Sequence, residues 1–136
     1  MKFKFLAAFA LAVSCLSVAQ AAPLTEVSLS ELRTLAASGG PIVVDLYDST
    51  STSAECLKQP PVAEKVAADF SGKVRFVRLD ISKAPNFAAA ARAFCPTHLF
   101  IDHNKPEPNR IAQRNWGFLS EAQFHELILE YFAIKP

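Results

Sequence analysis

Hydrophobic positions fall in blocks whose spacing changes along the chain, and each change marks an element. The first block is an uncharged apolar run from Phe5 to Val18, preceded by Lys2 and Lys4 and closed by Ala19-Gln20-Ala21. A bilayer-spanning helix needs about 20 apolar residues, more than this run provides. A basic start, a short apolar run and a small-x-small end make the pattern of a cleaved secretory leader. Residues 1–21 are therefore read as a signal peptide cleaved after Ala21, and residues 22–136 as one domain. Ala12-Val13-Ser14-Cys15 loosely fits a lipoprotein box, which would instead anchor the chain at Cys15. The usual leucine three residues before the cysteine is missing, and the apolar run would be cut short.

Beyond the leader the pattern becomes amphipathic. Leu24 to Val27 fits a short first strand. Ser28 and Glu31 have capping-box spacing: the hydroxyl can accept from the amide of position 31 while the glutamate reaches back. The helix they start carries Leu29, Leu32, Leu35 and Ala36 on one face and stops at Gly39-Gly40. Ile42 to Tyr47 is β-branched and nearly continuously apolar, as in a buried central strand. Asp45 breaks that run, and a carboxylate there needs either water at the sheet end or a buried partner.

A hydroxyl-rich loop over residues 48–53 leads into helical spacing from Ala54 to Phe70, which Pro60-Pro61 should kink and Ser71-Gly72 should stop. Val74 to Ile81 reads as a strand, Asn86 to Ala93 as a short alanine-rich helix, and Thr97 to Asp102 as a strand after the Cys95-Pro96 break. A further strand over Arg110 to Trp116 precedes a second capping box at Ser120 and Gln123. The last helix, Glu121 to Phe132, should bury Phe124, Leu127, Ile128 and Tyr131. Alternating strands and helices call for parallel crossovers, and the short last connection for an antiparallel hairpin. The expected class is α/β, a mixed central sheet flanked by helices on both faces.

Composition narrows the function classes. At 136 residues and 51% hydrophobic, the chain holds one domain with a substantial core. Its formal charge is +1, but two of the 14 basic residues, Lys2 and Lys4, lie in the leader; beyond it 12 basic residues face 13 acidic ones, net −1. That balance gives no footing for nucleic acid or an anionic membrane surface, and no membrane span is expected. Cys56 and Cys95 remain after the leader, in a compartment where disulfides persist. Cys95, His98 and His103 do not make a metal set, since His98 falls in a strand as core histidines do and His103 heads a loop. No metal or cofactor is expected, and the chain is read as a monomer.

The element order, taken with particular residues, resembles the thioredoxin family from about Pro41 to Phe132. Val44-Asp45-Leu46-Tyr47 resembles the strand before that family's redox motif, including its buried aspartate. Cys56-Leu57-Lys58-Gln59-Pro60-Pro61-Val62-Ala63 resembles the motif's second cysteine and the helix after it, with Pro61 as the kinking proline. Phe94-Cys95-Pro96-Thr97 resembles the cis-proline segment, and Gly117-Phe118-Leu119-Ser120 the glycine before the final helix. The resemblance implies a thioredoxin-like fold. The departures are specific: Ser53-Ala54-Glu55-Cys56 stands where the family has Cys-x-x-Cys, Thr52 replaces the preceding tryptophan, and the loop after Asp45 is two residues longer.

Serine cannot replace the attacking cysteine, because exchange runs through a thiolate and a mixed disulfide. The resemblance leaves Cys56 at a helix N-terminus, which favours its thiolate, with Asp45 below it as general base. It also places Cys95 beside the motif, where it could bridge to Cys56 if the geometry allows. Pro96, cis by resemblance, with Ser53 and Thr97 would form a surface for an extended peptide. Two functions follow. One is thiol–disulfide exchange with protein or peptide thiols and disulfides in the cell envelope, using Cys56 with Cys95, or Cys56 alone, with Asp45 as general base. The other is a redox-inactive module that binds a protein or peptide at the Pro96 surface.

Overall fold

In order, the sequence blocks form β1 (Thr25–Glu26), α1 (Leu29–Ser38), β2 (Pro41–Tyr47), α2 (Ala54–Asp69), β3 (Arg75–Asp80), a 3-10 turn (Ile81–Lys83), α3 (Pro85–Ala91), β4 (Thr97–Asp102), β5 (Ile111–Trp116) and α4 (Glu121–Phe132). The computed structural model describes residues 23–102, 104–106 and 111–134; the leader, Cys15 and His103 lie outside them. Both capping boxes form, with Ser28 and Glu31 at 2.8 and 3.1 Å and Ser120 and Gln123 at 2.9 and 3.2 Å. Gly39 and Gly40 turn the chain from α1 into β2 at φ of 110° and 91°, a region costly for residues with a Cβ. The expected interruption of α2 does not end it: the helix runs on through Pro60 and Pro61. Neither proline can donate to the carbonyl four residues back, on Cys56 and Leu57.

The sheet order is β1-β3-β2-β4-β5. β1, β3 and β2 are mutually parallel, β4 is antiparallel to β2, and β5 is antiparallel to β4. The direction of β4 departs from the parallel crossover expected from strand–helix alternation. The 3-10 turn and α3 pack together at the end of the sheet where β3 finishes. The chain therefore starts β4 at that end and runs back.

Alternation along the strands sorts the core onto two faces. Val43, Phe76 and Phe100 pack with Ala63 and Val66 of α2 and with Phe124, Ile128 and Phe132 of α4. Ile42, Val44, Leu46, Val77 and Leu79 pack with Leu32 of α1, while Phe87 and Ala88 of α3 lie against the same cluster. In α4 the buried set is Phe124, Ile128 and Phe132, with Leu127 and Tyr131 half-buried. The molecule is an α/β domain, a mixed sheet with helices on both faces.

Candidate active site

The end of the sheet where β2 and β3 finish and β4 begins gathers the loop into α2, the first turn of α2 and the Cys95-Pro96 segment. The hydroxyl-rich loop satisfies its own polar groups. Asp48 Oδ1 accepts from the Thr50 amide at 2.8 Å and the Thr50 hydroxyl at 2.6 Å, and Ser51 Oγ accepts from the Ser53 amide at 3.2 Å. Ser53 is the N-cap of α2, its hydroxyl accepting from the Cys56 amide at 3.1 Å. The serine in the place of an attacking cysteine therefore caps the helix, a use serine suits better than most residues.

The loop is clamped from β3. Asp80 Oδ1 accepts from the amides of Ser49 and Ser82 at 3.3 and 3.1 Å and from the Ser82 hydroxyl at 2.7 Å. Burial would push the Asp80 carboxyl up, but the hydrogen bonds from Ser49 and Ser82 outweigh it and hold it down at about 2. At the end of β2, Tyr47 donates to Glu26 at 2.7 Å and carries the Arg78 guanidinium 3.6 Å above its ring. Burial, and then that hydrogen bond, push the Tyr47 hydroxyl up to about 12. The Tyr47 and Lys83 hydrogen bonds lower Glu26.

Cys95 sits on a second braced segment. Phe94 donates its amide to Thr97 Oγ1 at 3.3 Å, Gly117 donates to the Pro96 carbonyl at 2.9 Å, and the Trp116 indole donates to the Arg92 carbonyl at 3.1 Å. The Cys95-Pro96 peptide is cis. Cys56 and Cys95 are joined by a disulfide, with Cα atoms 5.2 Å apart across 39 positions of sequence. Cys56 is 5% exposed and Cys95 partly exposed. The Asp48 carbonyl oxygen lies 3.9 Å from Cys56 Sγ. Since a bonded sulfur carries no proton, this is a contact and not a hydrogen bond.

A polar row crosses the sheet. Glu26, Arg78, Asp45, His98 and Asn115 are successive cross-strand partners from β1 to β5. Asp45 is buried and faces His98, with Oδ1 3.4 Å from Nε2. The His98 ring is also buried and packs edge-on against Phe124 at 4.8 Å. Asp45 makes no hydrogen bond to Cys56 among the described residues, so the aspartate's partner in the oxidised protein is His98. Gln59, one turn after Cys56, is buried and exchanges two hydrogen bonds with the Leu119 backbone at 3.0 and 2.8 Å. That exchange fixes α2 to the loop before α4.

The structure thus brings Cys56, Cys95, Ser53 and Pro96 together, while Asp45 lies buried in β2 against His98. Pro96 and Thr97 are both buried, so Thr97 shapes the loop through Phe94 and neither side chain offers an open surface to a ligand. Sequence reading missed Gln59 and the pairing of His98 with Asp45. The signal for Gln59 was its place between Cys56 and Ala63 on the inward face of α2. It also missed the apolar rim, where Leu57, Phe94 and Trp116 are 64%, 50% and 52% exposed. Asp69, Glu121 and His125 place ligand atoms within 4.8 Å of one another on the α2–α4 seam. His125 already meets Asp69, and Lys65 already meets Glu121, both at 3.0 Å. No helix among the described residues is long and apolar enough to cross a membrane.

No family model and no curated protein matches the sequence. Solved structures do match. Chloroplastic thioredoxin z, whose structure is described as defining type-specific target recognition, superposes at a TM-score of 0.70 and 25% identity, over 83% of this chain and 97% of that one. Oxidised mitochondrial thioredoxin 3 from Saccharomyces cerevisiae superposes at 0.60 and 20% identity, over 82% of this chain and 95% of that one. The chain has a thioredoxin-like fold, with a disulfide between its α2 N-terminus and its Cys95-Pro96 loop.

Proposed function

We propose that this is an exported thiol–disulfide exchange protein of the cell envelope, periplasmic or secreted, that reacts with protein or peptide thiols through Cys56 and Cys95. The Cys56–Cys95 disulfide carries the reading. It joins Cys56, which by resemblance stands at the redox motif's second cysteine, to Cys95, which immediately precedes the cis-proline Pro96. Asp45, by resemblance the general base of the site, is buried and faces His98 at 3.4 Å. The leader pattern before Ala22 supports export, with acylation at Cys15 as the alternative to cleavage after Ala21. A thiol count on the mature protein, with and without reductant, tests the pair: two free thiols without reductant would sink it. A reduction potential above about −300 mV supports exchange, and one below it a structural bridge.

The exposed rim of Leu57, Phe94 and Trp116 favours a second reading, a module that binds an extended peptide along this rim, beside the buried Pro96, without chemistry. Peptide capture unchanged in a Cys56→Ser variant would support it.

A further inference from the structure

We infer that exchange enters through Cys95: a partner thiolate attacks Cys95 Sγ, and Cys56 is the leaving group. This rests on the exchange reading above and gives it a direction. The order differs from attack at a helix N-terminus, because here the sulfur on the helix is the shielded one.

Two independent features select the same sulfur. The first is access. A thiolate attacks along the S–S axis from behind the sulfur it bonds to. Against Cys56 lie the first turn of α2 and the Asp48 carbonyl oxygen, 3.9 Å from Cys56 Sγ, and Cys56 is only 5% exposed. Oxygen lone pairs repel an approaching thiolate. Cys95 is partly exposed and lies next to Phe94, itself 50% exposed.

The second feature is the leaving group. The sulfur whose thiolate is better stabilised departs faster. Cys56 is the third residue of a 16-residue helix capped by Ser53, where the unpaired amides of the first turn stabilise a negative charge. Cys95 lies between α3 and β4 and belongs to no helix among the described residues, so its own backbone supplies no such amides.

With a dithiol as reductant the step balances. Its first thiolate bonds to Cys95 Sγ, the Cys56–Cys95 bond breaks, and the electron pair leaves on Cys56. The dithiol's second thiolate then attacks its own sulfur in the mixed disulfide and releases Cys95. The dithiol ends as a disulfide, oxidised by two electrons, and its two protons pass to Cys56 and Cys95.

Glutathione, a monothiol, reads the direction on the oxidised wild-type chain. After brief exposure, an acid quench and alkylation, peptide mass spectrometry should find glutathione on Cys95 and the alkyl group on Cys56. The excess over the reverse pattern should be at least tenfold. Even labelling, or glutathione on Cys56, overturns the direction while leaving exchange intact. If neither glutathione nor dithiothreitol opens the bridge until urea unfolds the chain, the exchange reading falls and the direction with it. The reduced single-cysteine variants give a second measurement. Folded Cys56→Ser should take glutathione from glutathione disulfide at least tenfold faster than folded Cys95→Ser, and equal rates overturn the inference.

Discussion

Asp45 and His98 face each other across β2 and β4, with Oδ1 and Nε2 3.4 Å apart and both side chains sealed from solvent. The contact falls short of a hydrogen bond, and among the described residues Asp45 Oδ1 and both His98 ring nitrogens have no other protein partner. A buried pair of this kind contributes little net stability, yet losing one member strands the other. His98→Leu should therefore cost about 3 kcal/mol, and adding Asp45→Leu should recover most of it. Urea unfolding of both single variants and the double variant measures the coupling. Strictly additive losses would count against a shared pair.

Gln59 is the strap between α2 and α4. Replacing it with leucine keeps the volume but leaves the Leu119 amide and carbonyl buried without the partners they have at 2.8 and 3.0 Å. An unsatisfied buried backbone group costs about 1–3 kcal/mol, so Gln59→Leu should lose roughly 2–4 kcal/mol. Amide exchange at Leu119 should speed up more than at Phe76 in the sheet centre. Equal acceleration at both would mean general loosening, with no local strap.

What the sequence revealed of this architecture divides along a physical line. The two capping boxes, the glycine turn and the β-branched β2 depend on neighbouring residues, so local spacing was enough. The direction of β4 depends on where α3 leaves the chain, a packing outcome with no local signature. Asp45 stood out as an anomaly in an apolar strand, but its partner is set by the β2–β4 register. For that reason His98 read as an ordinary core histidine. Cys95 could be placed near Cys56 only through resemblance, since nothing in its own segment encodes a contact across 39 positions.

That long loop makes the disulfide a major constraint on the unfolded chain. Chain-entropy reasoning for a closed loop of this length gives about 4 kcal/mol of stabilisation in the oxidised protein. Urea unfolding with and without dithiothreitol should differ by roughly that amount, and Cys56→Ala with Cys95→Ala should match the reduced wild type. A difference near zero would mean that the bridge is strained in the native state, or that the reduced chain stays compact.

The Asp80 clamp predicts acid sensitivity at the loop that carries the site. Its carboxyl is held at about 2 when folded, against an ordinary 3.8. A lowered folded value means that the unfolded chain binds the proton more tightly. The stabilisation is therefore complete above the unfolded value and drains away as pH falls from about 4 through 2. The full shift is worth at most about 2.5 kcal/mol, and screening by water at the Ser49 and Ser82 edge reduces this to roughly 1 kcal/mol. Asp80→Asn should lose that stability at pH 7 and show a flatter stability profile between pH 5 and pH 2. Parallel profiles for the variant and the wild type would remove Asp80 as the acid-sensitive group. A flatter variant profile, together with faster amide exchange at Ser49 and Ser82, would tie the clamp to the loop leading to Cys56.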